Sequence, residues 1–171
     1  MSPLTSTITV SEYNNHSNKN NFQATDKMNL FSRAAELKDV EWITELSNQL
    51  GYDSTPEKVG NRLSEILNHA DNCVFVILDN ESVVGWIHGF CTRRVESDSF
   101  IEIGGMVVDN NYRRKGIGSM LVKKVEDWAN EKKINKIRVR CNSLRIETHS
   151  FYNSIGFIES KEQKIFDLKL D

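Results

Sequence analysis

The stretch Phe100–Trp128 constrains this chain more than any other. An apolar run (FIEIGGMVVD) breaks at a polar turn (NNY), and a Gly-punctuated basic loop (RRKGIGSM) opens an amphipathic helix reaching Trp128. Gly116 and Gly118 lack a Cβ, so the backbone can turn tightly there and bring its N–H groups close to a ligand. The helix start adds unpaired N–H donors and the positive end of its dipole. Arg113, Arg114 and Lys115 place cationic side chains beside them. Such a junction suits a phosphate or pyrophosphate. Two better-known phosphate loops are excluded. The spacing G-x-x-x-x-G-K-[ST] is absent, and Leu121 stands where a dinucleotide loop needs its third glycine. An ordinary Gly-rich strand-to-helix turn with solvated basic residues is the competing reading.

With 171 residues the chain is expected to form one domain with a core of useful size. Net charge is −2, so bulk charge points neither to nucleic acid nor to a membrane surface. No apolar run reaches membrane-spanning length, and the N-terminus lacks a basic region followed by an apolar one. A cytoplasmic enzyme is the expectation. Cys73, Cys91 and Cys141 are scattered, without a C-x-x-C, and read as reduced packing residues in strands; no metal is expected. Residues 1–27 are rich in Asn, Ser and Thr and read as a poorly ordered tail, with at most a short strand around Ile8 and Val10 and a solvated His16. A single domain is expected over 28–171, with Met28 opening the first segment of globular character.

Within that domain, LFSRAAEL (Leu30–Leu37) has strand character. Asp39 can cap a helix reaching about Leu50, with Val40, Ile43, Leu46 and Leu50 on one stripe and Gly51 as its stop. Thr55 caps a second helix, with Pro56 at its first position and Val59, Leu63, Ile66 and Leu67 apolar. Cys73–Leu78 and Val83–Cys91 read as a hairpin, with Trp86 and His88 on one face of its second strand. Arg93–Ser99 reads as a charged, mobile loop. After the central strand and the helix from Gly116 to about Lys132 come a strand over Lys136–Cys141 and a short helix ending near Gly156. Phe157–Ser160 and Lys164–Leu170 read as a closing antiparallel pair. This order predicts an α+β sandwich around a mixed, mostly antiparallel central sheet.

The spacing Arg113-x-x-Gly116-x-Gly118 resembles the coenzyme A pyrophosphate loop, [QR]-x-x-G-x-[GA], of the GNAT N-acetyltransferases. A second segment, His149-x-Phe151-Tyr152-x-x-x-Gly156-Phe157, is similar to the A-x-x-F-Y-x-x-x-G-F signature on the last helix of that family. The element order matches too, over roughly Leu30 to Leu170. The resemblance implies the GNAT fold and an acetyl-CoA-dependent N-acetyltransferase, with acetyl-CoA as co-substrate and an amine as acceptor.

It also implies roles. The loop Arg113, Arg114, Lys115, Gly116, Ile117, Gly118 and Ser119 would hold the pyrophosphate. A backbone N–H near Met106 or Val107 would polarise the thioester carbonyl, and Met106 and Val108 would pair with the pantetheine arm. Tyr152 would be the general acid for the departing thiolate. Glu102 precedes the loop as the catalytic glutamate does in histone-acetylating members, and would act as base through water; a surface carboxylate is the competing reading. An alkyl ammonium titrates near ~10.4, so some group must remove a proton before attack. The family's usual Asn before the F-Y pair is Arg145 here. Either Asn142 supplies the missing amide or Arg145 pairs with a coenzyme phosphate. Tyr52, Trp86 and His88 are candidate acceptor contacts, with packing as the alternative for each.

The resemblance, in overall look to small stand-alone bacterial members, implies a small-molecule primary amine as acceptor, aminoglycoside-like or polyamine-like. Asp53, Glu96 and Asp98 in the loops expected to face it would suit a cationic amine, with solvated loop charge as the competing reading. Direct transfer in a ternary complex is expected, since no cysteine lies in a motif suited to an acetyl-enzyme. The alternatives are a protein lysine or N-terminal acetyltransferase, or a non-catalytic acyl-CoA-binding module. Family habit allows a homodimer.

Overall fold

The computed structural model describes residues 28–170. The expectations for the segment 1–27 lie outside them. The elements run β1 (Leu30–Ala34), α1 (Val40–Asn48), α2 (Pro56–Leu67), β2 (Asn72–Asp79), β3 (Ser82–Arg94), β4 (Ser97–Val108), α3 (Ile117–Glu131), β5 (Ile137–Val139) and α4 (Ile146–Ser154). The strands form one sheet in the order β1-β2-β3-β4-β5. Every neighbouring pair is antiparallel except β4–β5, which is parallel.

Each face of the sheet is covered because its strands alternate apolar side chains toward two different helical layers. On one face Ile77, Ile87 and Ile101 meet Ile117, Leu121 and Val125 of α3. On the other, Val74, Val76, Val83 and Val107 meet Ile43 and Leu46 of α1 and Val59 and Leu63 of α2. Burying side chains of this size contributes about 1.5–3 kcal/mol each, so the two cores together determine where the sheet sits between its helices.

Local chemistry explains the element ends. Thr55 accepts the Lys58 N–H at 3.4 Å with Pro56 in the first turn, as its sequence signature predicts. Gly51 follows α1 at φ +88°, and that left-handed stop is the reason for glycine. Asp39 behaves differently from the expectation. It makes no side-chain cap on α1 but backs a 3-10 turn, Leu37–Asp39, by accepting the Glu36 N–H at 2.8 Å. Its carboxylate also receives both guanidinium arms of Arg33, at 2.6 and 2.7 Å. Burial pushes Asp39 up, but the Arg33 and Glu36 hydrogen bonds outweigh it and hold the group below the usual carboxylate range.

Two further expectations are corrected. Arg93–Ser99 is mostly strand: β3 and β4 continue their ladder to Arg94↔Ser97, leaving Val95 and Glu96 as the turn. A two-residue connection lets the twist of the strands carry on to the tip. The closing pair over Phe157–Ser160 and Lys164–Leu170 does not form within the described chain, whose last strand is β5. Residues 157–170 join no helix or strand, and β5, three residues long, has no described segment on its outer edge.

Candidate active site

The β4–α3 junction is assembled from short-range contacts. Asp109 accepts the Asn111 N–H at 2.8 Å and so shapes the turn Asn110–Tyr112. The Gln49 amide donates to the other Asp109 oxygen at 2.9 Å, tying the junction to the end of α1. The Tyr112 hydroxyl donates to Asp79 at 2.9 Å, and the Lys115 ammonium lies 4.7 Å from the Tyr112 ring centre. Arg114 (φ +60°) and Gly116 (φ +81°) are both left-handed, which coils the loop so that α3 begins at Ile117 with no side-chain cap. The first-turn N–H groups of a fifteen-residue helix are therefore open to a ligand. Arg113, Arg114, Lys115, Gly116 and Ser119 are exposed around it, while the Ile117 side chain is buried in the core. Only the backbone of Ile117 can meet a ligand.

The two glycines do different things. Gly116 supplies the left-handed turn, and a side chain there would meet nothing within 4 Å. A Cβ on Gly118 would lie 2.9 Å from Cζ of Phe151. Gly118 thus gives Phe151 of α4 room to lie on the first turn of α3. The two sequence signatures touch at this point, so Phe151 sets where its neighbour Tyr152 stands.

Between β4 and β5 the sheet opens. β4 pairs with β5 only over Ile101–Ile103, and beyond Ile103 the strands part. Asp109 N–H donates to Val84 C=O at 2.9 Å. Antiparallel ladders alternate, so the Val107 backbone also points to β3, while Met106 and Val108 direct theirs into the gap. Of the two residues read as thioester contacts, Met106 has the free N–H and Val107 does not. A bulge sharpens the geometry: His88 faces Gly105 and Gly89 faces Ile103, leaving Gly104 as the extra residue. A Cβ on Gly104 would crowd Phe90 and His88, and one on Gly105 would crowd Trp86. Both glycines keep the three aromatic side chains close against the strand.

A cleft of about 550 Å³ occupies this gap and continues under α1 and α2. Met106, Val107, Asn142, Arg145 and Tyr152 line one part of it, and Tyr52, Trp86 and His88 line another. These coenzyme and acceptor candidates thus share one cavity, while Val108 and the loop candidates Arg113, Arg114, Lys115, Gly116, Ile117, Gly118 and Ser119 do not line it. Tyr152 is 7% exposed, its ring edge-on to Phe151 and Phe157. Burial, with the neighbouring Cys141 adding to it, pushes its hydroxyl up to about 12, so it keeps its proton at neutral pH. His88 shares a 3.1 Å hydrogen bond with the Asn72 side-chain oxygen through Nε2, and burial moves its imidazole below the usual histidine range. A carbonyl oxygen only accepts, so the proton of the neutral ring sits on Nε2. Nδ1, the nitrogen beside Gly104, is left with its lone pair.

Glu102 lies on the same face of the sheet, opposite Phe90, but does not line the cleft. It is buried, and its carboxylate forms an ion pair with the Arg140 guanidinium at 2.9 Å. Asn142 accepts the Leu144 N–H at 2.9 Å through its side-chain oxygen, leaving the NH₂ end for a ligand. Sequence reasoning missed Arg62 and Arg140, which also line the cleft, and Asn72, which orients His88. Arg62 sits on the polar flank of α2, and nothing in a periodicity distinguishes it from a solvated arginine. The acidic Asp53, Glu96 and Asp98 do not line the cleft. Among the described residues no His, Cys, Asp or Glu cluster could hold a metal ion, and no helix is long and apolar enough to cross a membrane.

Known proteins place this geometry. Residues 36–157 match the model of the acetyltransferase (GNAT) family. The aminoglycoside N(6')-acetyltransferase type 1 of Acinetobacter haemolyticus is 27% identical over 145 residues, covering 80% of this chain and 94% of that protein. The N-acetylaspartate synthetase of Xenopus tropicalis is 34% identical over 86 residues, half of this chain (50%) but only 31% of that longer protein. Among solved structures, AAC(6')-Iy in complex with the bisubstrate analogue CoA-S-monomethyl-acetylneamine superposes with a TM-score of 0.74 at 16% identity, covering 82% of this chain and 99% of the other. At that identity the likeness speaks to fold alone. An open α3 N-terminus, a strand splayed at its neighbour, a buried tyrosine beside the gap and a family match over most of the domain lead to one conclusion: the chain belongs to the GNAT acetyltransferase family.

Proposed function

We propose that this N-acetyltransferase moves the acetyl group of acetyl-CoA to a primary amine of a small molecule, by direct transfer while both substrates are bound. The observation that carries the reading is the single cleft holding the open Met106 backbone, the Tyr152 hydroxyl and His88. Relatives named for an aminoglycoside and for N-acetylaspartate support a small acceptor of either kind.

In the reaction, the loop from Arg113 to Ser119 and the α3 N-terminus take the pyrophosphate, Arg145 and Asn142 contact the coenzyme, and Met106 and Val108 pair with its pantetheine arm. The amine must arrive neutral. It attacks the thioester carbon, and the N–C bond forms while the carbonyl oxygen gains negative charge, which the Met106 N–H stabilises. Collapse breaks the C–S bond, and the thiolate takes a proton from Tyr152, which is later restored from solvent. Two groups are available to remove the proton from the amine. Glu102 would act through water past Arg140; His88 would act directly. The unprotonated Nδ1 beside Gly104 favours His88. Tyr52 and Trp86 flank the acceptor.

Calorimetry with acetyl-CoA, followed by release of free thiol with a panel of small amines, tests the reading. Micromolar binding and amine-dependent release support it. No binding by the folded protein, or release that requires a protein lysine, overturns it.

A further inference from the structure

The charge of the cleft lining is one-sided. Its charged side chains are Arg62, Arg140 and Arg145, and no Asp or Glu joins them among the described residues. Glu102, the nearest buried carboxylate, stands behind Arg140 and is held by it. The acidic residues that sequence reading set aside for a cationic acceptor lie elsewhere. Arg145 is at the coenzyme end, next to Asn142 and Thr148. Arg62 projects from α2 on the opposite side, where its only described partner is the Ser54 hydroxyl at 3.5 Å. That is a weak contact for a guanidinium with five donors.

We propose that the acceptor amine carries a carboxylate, which docks on Arg62, the lining arginine outside the Arg140–Glu102 pair and away from Arg145. This rests on the acetyl-transfer reading above. A guanidinium fork matches a carboxylate bidentately. The same positive field helps the chemistry, since a nearby cation disfavours the ammonium form and eases loss of the proton. A polycation such as an aminoglycoside would meet like charge and no counter-charge.

The test begins with calorimetry of acetyl-CoA, then compares thiol release with L-aspartate and L-glutamate against putrescine and neamine. Binding of acetyl-CoA together with at least tenfold higher kcat/KM for a carboxylated amine is expected. Arg62→Gln should raise KM for that amine roughly tenfold to a hundredfold, leaving acetyl-CoA affinity and kcat near their starting values. Preference for putrescine or neamine, no turnover of either acidic amine, or an Arg62→Gln variant with unchanged KM overturns the inference while the acetyltransferase reading stands. Failure to bind acetyl-CoA at all overturns that reading, and this one with it.

Discussion

The two ends of the cleft are built from different material. At the proposed coenzyme end the groups are main chain: the outward backbone of Met106 and, beyond the cleft lining, that of Val108, the left-handed Gly116 and the first-turn N–H groups of α3. At the acceptor end they are side chains brought together from distant parts of the chain: Tyr52 after α1, Arg62 on α2, Trp86 and His88 on β3, Arg140 after β5. Main-chain sites need a particular local conformation, which a few glycines encode over six residues. Side-chain sites need only that the fold deliver the residues, and almost any sequence spacing will do. The first kind of end can therefore stay the same across a family while the second is free to change its ligand.

The largest expected effect lies where the two ends meet. Replacing Tyr152 with Phe keeps the ring packed between Phe151 and Phe157 but removes the proton donor. Thiol release should fall by about 10²–10⁴-fold, while calorimetry should find acetyl-CoA affinity little changed. A variant with the parental rate would remove Tyr152 from the chemistry and leave the cleft without an acid.

Next in size is the difference between the two loop glycines. Gly116→Val forces a β-branched residue into the left-handed region at a cost of about 1–3 kcal/mol, and acetyl-CoA binding should weaken about tenfold or more. Gly118→Ala should act differently, lowering the melting temperature as the new methyl displaces Phe151. Phe151→Leu should recover part of that loss in the double variant, by the logic of coupled sites. Equal thermal and binding losses for the two single variants would erase the distinction between a ligand turn and a packing gap.

A smaller, pH-dependent effect separates the two candidate bases. Burial lowers His88, so its neutral form is already present at neutral pH and is lost only as pH falls below the ordinary range near ~6.5. If His88 removes the proton, kcat/KM should be level above that range and fall below it, and His88→Gln should abolish this limb. The smallest change is expected for Glu102→Gln, which leaves Arg140 a carbonyl oxygen to contact; a several-fold loss fits a residue that positions Arg140. A loss as deep as that of Tyr152→Phe, with the limb intact in His88→Gln, would return the role of base to Glu102.

The contrast between the ends also explains what was readable from sequence. The Gly-punctuated loop, the F-Y segment, the capped start of α2 and the β2–β3 hairpin all depend on residues within a few positions of each other. Each could be read from spacing and periodicity. Asp39 could not, because its cap on paper is replaced by Arg33, which the β1–α1 turn brings within 2.6 Å. The charged tip between β3 and β4 looked like a loop because polar residues at the exposed end of a hairpin resemble polar residues in solvent. The closing strands failed for a related reason: an alternating segment becomes a strand only when an edge is offered to it, and pairing is a property of two segments.

By itself, then, the sequence determined the family and the turn that opens α3, since glycine at Gly116 and the helix start behind it act through backbone geometry that neighbours dictate. Only the tertiary structure decided that Gly118 serves Phe151, that Met106 and not Val107 faces the gap, that Glu102 belongs to Arg140, and that three arginines line the cleft. Those facts depend on register, bulge and helix placement, which long-range packing sets and short-range patterns do not record.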